Sequence, residues 1–370
     1  MIRPACSARE PAPRFAAVDH AIILAGGVGE RFWPASTPER PKQLLSLVSD
    51  RSMLRETADR LDGLVPPEGR WVITSRALAP AVAAECPEIA AERIVGEPEA
   101  RNTAPAIGLA AGLLAAADPD AAMLVLPADH AIGNADAFRE SASAALQIAA
   151  EDPVLVLFGI VPTRPETGYG YVERGRRHGP GAGVAWKVER FREKPDPETA
   201  RELWRSGTHY WNSGLFCGRA AVFLEEYARH LPLMRKAIDI AVTEWDAGPE
   251  RALERYYGAV ESTSIDYGIM QGTDRAVVLP AADWSWDDLG SWESLSRWLP
   301  VSEEGNVKVG DCRLEECDEV IAFSDGGLVA ALGVSGLVIV RSGDATLVAA
   351  RDRLDEIRSF VRRLTGGNGA

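Results

Sequence analysis

The chain has 370 residues, of which 46% are hydrophobic and 25% charged, enough for one large domain plus a small one around a sizeable core. Its formal net charge of -14 at pH 7 argues against a general binder of nucleic acid or anionic membranes, and no stretch reaches the ~18 apolar residues of a bilayer span. Five scattered cysteines (Cys6, Cys86, Cys217, Cys312, Cys317), with neither a CxxC nor zinc-ligand spacing, point to reduced thiols in the cytoplasm. Residues 1–17 are rich in Ala, Pro and Arg, lack the apolar stretch of a signal peptide, and read as a loose tail.

The first element is Ala21-Ile22-Ile23-Leu24-Ala25, an apolar run without clean alternation, which predicts a parallel strand buried on both faces. It stops at Gly26-Gly27. Together with Gly29 these glycines give a backbone that can turn sharply and press its N–H groups onto an anion. Arg31 and Lys42 follow, with Pro34, Pro38 and Pro41 stiffening the tether that brings both cations to the turn. A P-loop would need Gly-Lys-Ser/Thr where Gly29 is followed by Glu30-Arg31, and a dinucleotide fingerprint begun at Gly27 would need glycine at Phe32. Neither fits.

Further along, the spacing predicts helices over 53–64 and 77–86 and strands over 70–74 and 93–96. Ala106 to Ala117 is almost all Ala, Leu and Gly, a buried helix with Asn102 or Thr103 as its cap. The hydrophobic strand from Ala122 ends in Asp129-His130. In an open parallel sheet ligands gather beyond the carboxyl ends of the strands, so Asp129 belongs on the same rim as the glycine loop. A hard oxygen ligand there suits Mg²⁺. A helix over 137–150 and a strand over 154–158 continue the alternation, which predicts an α/β fold with a doubly wound, mostly parallel sheet.

From Gly159 the texture changes. Residues 169–173 and 185–191 alternate like partners in an antiparallel pair, and they lead to Glu193-Lys194-Pro195 and then Asn212-Ser213-Gly214. Helices are predicted over 215–230 and 231–247, then a compact apolar segment at Ser264 to Met270 and a strand over 276–280. Past the tryptophan-rich stretch at Trp284 to Trp292, apolar segments at 328–332, 337–340 and 347–350 recur every nine or ten residues, which suggests stacked β-coils. An amphipathic helix over 351–364 closes the chain, with Leu354, Ile357, Val361 and Leu364 on one face. The coil segment could mediate a homodimer or cover the sheet. The expected division is a tail over 1–17, a catalytic domain over 18–300 and a small coil domain over 301–366.

Leu-Ala-Gly-Gly-x-Gly-x-Arg-x-x-Pro from Leu24, with Pro41-Lys42-Gln43 beyond it, resembles the signature of the sugar-phosphate nucleotidyltransferases. Phe32-Trp33-Pro34-x-Ser36 and Arg101-Asn102-Thr103-Ala104-Pro105-Ala106-Ile107 are similar to its mannose-1-phosphate guanylyltransferase branch. Relatives more often carry Thr in place of Glu30, whose carboxylate is expected to point away from the phosphates. The resemblance implies a Rossmann-like nucleotide-diphospho-sugar transferase fold with a β-helix-like C-terminal domain. It implies as substrates GTP and mannose 1-phosphate, and as products GDP-mannose and pyrophosphate.

The same resemblance implies roles residue by residue. Leu24, Ala25, Gly26, Gly27, Gly29, Arg31, Lys42, Asn102, Thr103 and Asp129 would hold the nucleotide. Gly170, Glu193, Lys194 and Asn212, from the Gly-Tyr-Gly, Glu-Lys-Pro and Asn-Ser-Gly motifs, would hold the sugar phosphate. A Trp-x-Asp-x-Gly-x-Trp pattern falls on Trp286, Asp288, Gly290 and Trp292, so Asp288 would be the second Mg²⁺ carboxylate beside Asp129, with Asp287 the alternative. The tryptophans there read as packing. Arg31, Lys42, Asp129, Lys194 and Asp288 would form the catalytic set. Two rival readings keep this fold: the same transfer on another nucleotide or sugar 1-phosphate, and a catalytically silent GDP-mannose-binding regulatory subunit. A nucleotide-cofactor oxidoreductase is disfavoured by the glycine pattern.

Overall fold

The computed structural model describes residues 19–27, 29–179, 184–281 and 283–364; the tail read over 1–17 lies outside them. Four apolar strands, β1 (His20–Ala25), β2 (Arg70–Ser75), β3 (Ile94–Glu97) and β4 (Ala122–Pro127), lie parallel. Ile22 faces Trp71 on one side and Val125 on the other, so β1 is central and its core residues are buried on both faces. That burial is why no alternation is visible in its sequence. A short strand β5 (Ala131–Ile132) follows the turn at Asp129.

The sheet continues with β6 (Leu155–Ile160), β7 (Tyr171–His178), β8 (Ala185–Arg192), β9 (His209–Arg219) and β10 (Ala276–Pro280). Nine strands line up in the order β3-β2-β1-β4-β9-β6-β10-β8-β7. As expected, β7 and β8 are antiparallel. The helix predicted from Leu215, however, begins only at Ala220. Leu215, Phe216 and Cys217 are the buried end of β9, which runs antiparallel between β4 and β6, pairing Cys217 with Leu124 and Phe216 with Leu157. Pairing on both sides overrides the local helical pattern, and it makes the sheet mixed, with parallel runs at β3 to β4 and at β6 with β10.

Helices cover both faces, so the doubly wound α/β architecture stands. Met53–Arg60, Ala79–Glu85 and Ala135–Glu151 pack on one side, and Thr103–Ala117 with Ala220–His230 and Pro232–Glu244 on the other. The helix Thr103–Ala117 is buried along most of its length. A Cβ at Gly112 would come within 2.5 Å of Ile238, so glycine here lets two helices touch. Helices predicted over 53–64 and 77–86 are shorter than their apolar patterns. No helix among the described residues is long and apolar enough to cross a membrane, and the four described cysteines are buried and unpaired.

The pair β11 (Trp286–Asp287) and β5 forms a small ladder beside the rim of the main sheet. Beyond it, β12 (Val307–Val309), β13 (Cys312–Glu315), β14 (Ile321–Ser324), β15 (Val329–Leu332) and β16 (Leu337–Ser342) wind as parallel coils, with β12-β14-β16 on one face and β13-β15 on another. The strand β17 (Ala345–Ala350) folds back on β16 as an antiparallel hairpin. The apolar recurrence every nine or ten residues therefore mixes a coil step with a hairpin step. The closing segment is a 3₁₀ stretch over Arg351–Glu356 followed by a helix over Ile357–Leu364. Of the predicted apolar face, Leu354, Ile357 and Val361 are buried with Phe32, Trp292 and Phe323, whereas Leu364 is exposed.

Candidate active site

The glycine loop leaves the end of β1 and is pinned from below by Gln43, whose Nε2 donates to the Ala25 carbonyl at 2.7 Å. Gly29 has φ 71°, and a Cβ on it would lie 2.4 Å from the Lys42 Cβ, so glycine is required on two counts. That contact packs Lys42 beneath the loop, 4% exposed. Its Nζ donates to Asp129 Oδ2 at 2.9 Å and to the Asp288 carbonyl at 2.5 Å. One buried ammonium thus joins three distant segments. Loss of solvent raises the Asp129 pKa, but the Lys42 charge outweighs it and holds the carboxyl below the usual range, hence ionised at neutral pH.

Asp287 and Asp288 part company. The Asp287 carboxylate is buried, accepts from Arg297 at 2.8 and 3.3 Å, and caps the Leu289 N–H at 2.8 Å. Asp288 faces the cleft, with Oδ1 accepting from Tyr169 Oη at 2.7 Å and from the Gly290 N–H at 3.1 Å. Burial and the neighbouring Asp288 charge push the Tyr169 phenol upward, so it stays a donor.

Two cavities meet at Asp129 and Asp288. The larger, about 450 Å³, has Leu24 to Gly27 with Asn102 and Thr103 at one end and Gly170, Glu193, Lys194 and Asn212 at the other. The smaller, about 400 Å³, is bordered by Gly29, Glu30, Arg31 and Lys42. Every sequence-predicted site residue thus lines one of the two. Arg31 is held only loosely, its Nη1 lying 3.4 Å from the Gly290 carbonyl. Glu30 does not leave this cavity, and its carboxylate is instead paired there: it accepts from Arg358 at 2.6 Å and from Arg362 at 3.2 Å, both on the closing helix.

At the far end Asn212 is an organiser. Its Nδ2 donates to Asp266 Oδ1 at 2.8 Å, its Oδ1 accepts from the Gly214 N–H at 3.2 Å, and its own N–H donates to the Gly170 carbonyl at 2.8 Å. Glycine at 170 lets the Glu193 carboxylate lie against the backbone, since a Cβ would come 2.5 Å from Glu193 Oε2 and 3.1 Å from Phe191. That Oε2 is buried and has no hydrogen-bond partner among the described residues, while Oε1 faces Lys194 Nζ at 3.2 Å. A buried carboxylate oxygen without a donor marks a place for a ligand hydroxyl. Lys194 takes the left-handed conformation, φ 43°, and its side chain is largely exposed at the cleft mouth.

Residues 20–300 match the model of the nucleotidyl transferase family. The chain belongs to that family. A second match, over residues 315–364, is to the MannoseP isomerase/GMP-like beta-helix domain. This nucleotidyl transferase is 42% identical over 353 residues to the mannose-1-phosphate guanylyltransferase ManC of Salmonella typhimurium, spanning 93% of this chain and 72% of the relative. It is 36% identical over 360 residues to the alginate biosynthesis protein AlgA of Pseudomonas aeruginosa, spanning 93% and 71%. A crystal structure from Thermus thermophilus, titled a mannose-1-phosphate geranyltransferase, superposes with a TM-score of 0.83 at 37% identity, covering 94% of this chain and 99% of that one.

Four residues that line the cleft of this nucleotidyl transferase are not among the site residues the motifs imply. Glu97 ends β3 beside the glycine loop, 8% exposed, with Tyr257 Oη donating to its Oε1 at 2.7 Å. Burial raises it to about 7, only partly offset by that hydrogen bond. A carboxylate closing a strand just before Pro98 is the same signal that marks Asp129. Asp266, raised to about 6 by burial and by the Glu193 charge, reaches the cleft from a single π-helical turn, Asp266–Met270. Tyr169 sits inside a recognised motif, and nothing local shows its bond to Asp288. Trp286 departs from pure packing: it lines the cleft edge-on to Tyr169 and His130, unlike the buried Trp284 and Trp292.

Proposed function

We propose that this nucleotidyl transferase transfers GMP from GTP to mannose 1-phosphate, giving GDP-mannose and pyrophosphate, in the cytoplasm. The observation that carries the reading is the meeting of two cavities at Asp129 and Asp288. An in-line displacement needs such a layout, with the nucleophile entering on one side of the α-phosphorus and the leaving group departing on the other. A phosphate monoester has its second pKa near ~6, so the mannose 1-phosphate oxygen is ready to attack without a general base. It forms the new bond to the α-phosphorus as the bond to the bridging oxygen breaks, and pyrophosphate carries away the electron pair.

The principal barrier is repulsion between anions. Lys194 at the cleft mouth guides the incoming phosphate, and Arg31 faces the β- and γ-phosphates. Lys42 acts through Asp129, fixing the carboxylate and balancing its charge. The described residues contain no cluster of three or more metal-ligating side chains. Two carboxylates from Asp129 and Asp288 still fit Mg²⁺, which commonly takes one or two protein carboxylates and fills its other positions with phosphate oxygens and water. When bound, that ion would supply charge neutralisation at the phosphates. Glu193, with its unpartnered oxygen, accepts from a sugar hydroxyl.

The base end favours guanine. A carboxylate at Glu97 can take parallel hydrogen bonds from two adjacent donors, which guanine N1–H and its 2-amino group present; uracil and thymine place acceptors on either side of a single donor. Glu97→Gln should therefore weaken GTP by about tenfold, the size of one charge-assisted hydrogen bond, and narrow its lead over UTP. The wild-type KM for GTP should improve as pH rises through about 7, where the raised Glu97 ionises, and the variant should lose that portion of the profile. An unchanged base preference with an unchanged profile would remove Glu97 from recognition.

The deciding experiment measures pyrophosphate release by the purified protein with Mg²⁺, for GTP, ATP, UTP and dTTP against mannose 1-phosphate and glucose 1-phosphate. Release confined to GTP with mannose 1-phosphate is expected, and another preferred pair would overturn the substrate while keeping the chemistry. Lys194→Ala should raise the KM for the sugar phosphate about tenfold or more and leave the KM for GTP near wild type. A sugar KM and kcat that do not move would refute its role.

A further inference from the structure

We propose that Arg358, on the closing helix of the C-terminal coil, binds the terminal phosphates of the nucleotide and the pyrophosphate they become. The inference rests on the nucleotidyl-transfer reading of the two cavities and assigns the smaller one to the leaving group.

The charges in that smaller cavity are out of balance without Arg358. Lys42 is spent on Asp129 and the Asp288 carbonyl, and Arg31 makes one long contact, so Arg31 is the cation left for a polyanion. Glu30 on the same wall has the wrong sign. Arg358 also borders this cavity. Its Nε donates to Glu30 Oε2 at 2.6 Å, and its Nη1 and Nη2 have no hydrogen-bond partner among the described residues. A guanidinium is a rigid fork, so holding it by Nε aims two N–H-bearing nitrogens elsewhere. Phosphate oxygens are the fitting guest for that pair.

The mounting of this side chain supports the assignment. Its neighbour Ile357 and the next-turn Val361 are buried in one core with Phe32, the residue after Arg31. Arg31 and Arg358 are therefore carried on opposite sides of a single packed joint. Arg362 reaches the same Glu30 carboxylate at 3.2 and 3.4 Å, so Glu30 keeps a counter-charge when Arg358 turns to a phosphate. The Arg358–Glu30 pair is half exposed and of the kind that contributes little to stability, so exchanging it for a phosphate contact costs little. The coil thereby contributes to the catalytic site.

The test uses the full chain and inorganic pyrophosphate as the probe. Pyrophosphate binding is measured by titration calorimetry, and the KM values for pyrophosphate and GDP-mannose are measured in the reverse reaction. Arg358→Ala should weaken pyrophosphate about tenfold or more in both assays, tenfold being the effect of only one of its two charge-assisted hydrogen bonds, and leave the KM for GDP-mannose near wild type. Arg358→Lys, which keeps the charge without the fork, should recover part of the loss. In the double variant Glu30→Thr with Arg358→Ala the defect should persist. A defect abolished by Glu30→Thr would mean that Arg358 merely neutralises Glu30, and that would overturn the proposal, as would unchanged pyrophosphate affinity in Arg358→Ala. Failure of the wild-type protein to bind pyrophosphate while it turns over GTP would sink this inference alone. Arg358-dependent pyrophosphate binding without turnover of any substrate pair would sustain it and instead overturn the catalytic reading.

Discussion

Replacing Asp129 with Asn is expected to lower kcat by about a thousandfold or more, roughly 4 kcal/mol of barrier, without unfolding the protein. The substitution keeps the size of the side chain and removes the charge that Lys42 balances and that a cation at the α-phosphate would need. The stability cost is separate and smaller. Lys42 Nζ is buried and would keep the Asp288 carbonyl as a partner, so its partial orphaning should cost about 1–3 kcal/mol. The sign of the pH dependence follows from the depressed Asp129 pKa: the pair contributes stability above the ordinary carboxylate range and loses it as pH falls through the folded-state value. Thermal melts at pH 7 and near pH 3 should therefore differ less in Asp129→Asn than in wild type. Steady-state rates within a few-fold of wild type would take Asp129 out of the mechanism.

The second large effect is expected at Gly29. An alanine there must hold φ near 71°, at a cost of about 1–2 kcal/mol, and its Cβ would still lie 2.4 Å from the Lys42 Cβ. Since the contact is with a Cβ anchored to backbone, relief requires the loop and Lys42 to move apart. Displacement of a positioning group by about 1 Å can cost a hundredfold in rate, so Gly29→Ala should lose kcat/KM on that scale together with several degrees of melting temperature. Gly27→Ala is the control for stability: among the described residues, its chain neighbours aside, no atom lies within 4 Å of its added Cβ, and its melting temperature should match wild type. Equal melts for the two variants would refute this account of the loop.

The two glycines illustrate what can and cannot be read from a chain. Both belong to one motif, and the motif treats them alike. The difference arises because Lys42, thirteen positions beyond Gly29, packs against one and not the other. In the same way the motif sets Asp288 ahead of Asp287 without showing what holds either one. Arg297 takes Asp287 into an ion pair and leaves Asp288 at the cleft, a choice made by a residue ten positions away. The strand β9 shows the converse error of local pattern: 215–219 carries helical spacing, but neighbouring strands on both sides claim it. Glu97 could have been found with the rule that found Asp129, since both carboxylates follow apolar strands on one rim.

What the sequence determined by itself was the chemistry on offer and its attachment points. Apolar strands ending in glycines or carboxylates, and the order of the Gly-Tyr-Gly, Glu-Lys-Pro and Asn-Ser-Gly motifs, are local features; local sterics and burial suffice to place the glycine loop and Asp129 at strand ends, whereas Asn212 to Gly214 lie inside β9. Only the tertiary structure decided how those groups are spent. Lys42 commits to Asp129, Asn212 to Asp266, and Glu30 to two arginines of the closing helix. Each of these pairings joins residues more than fifty positions apart. Which donor finds which acceptor at that separation is set by the packing of the whole sheet and its helices, and periodicity along the chain carries no record of it.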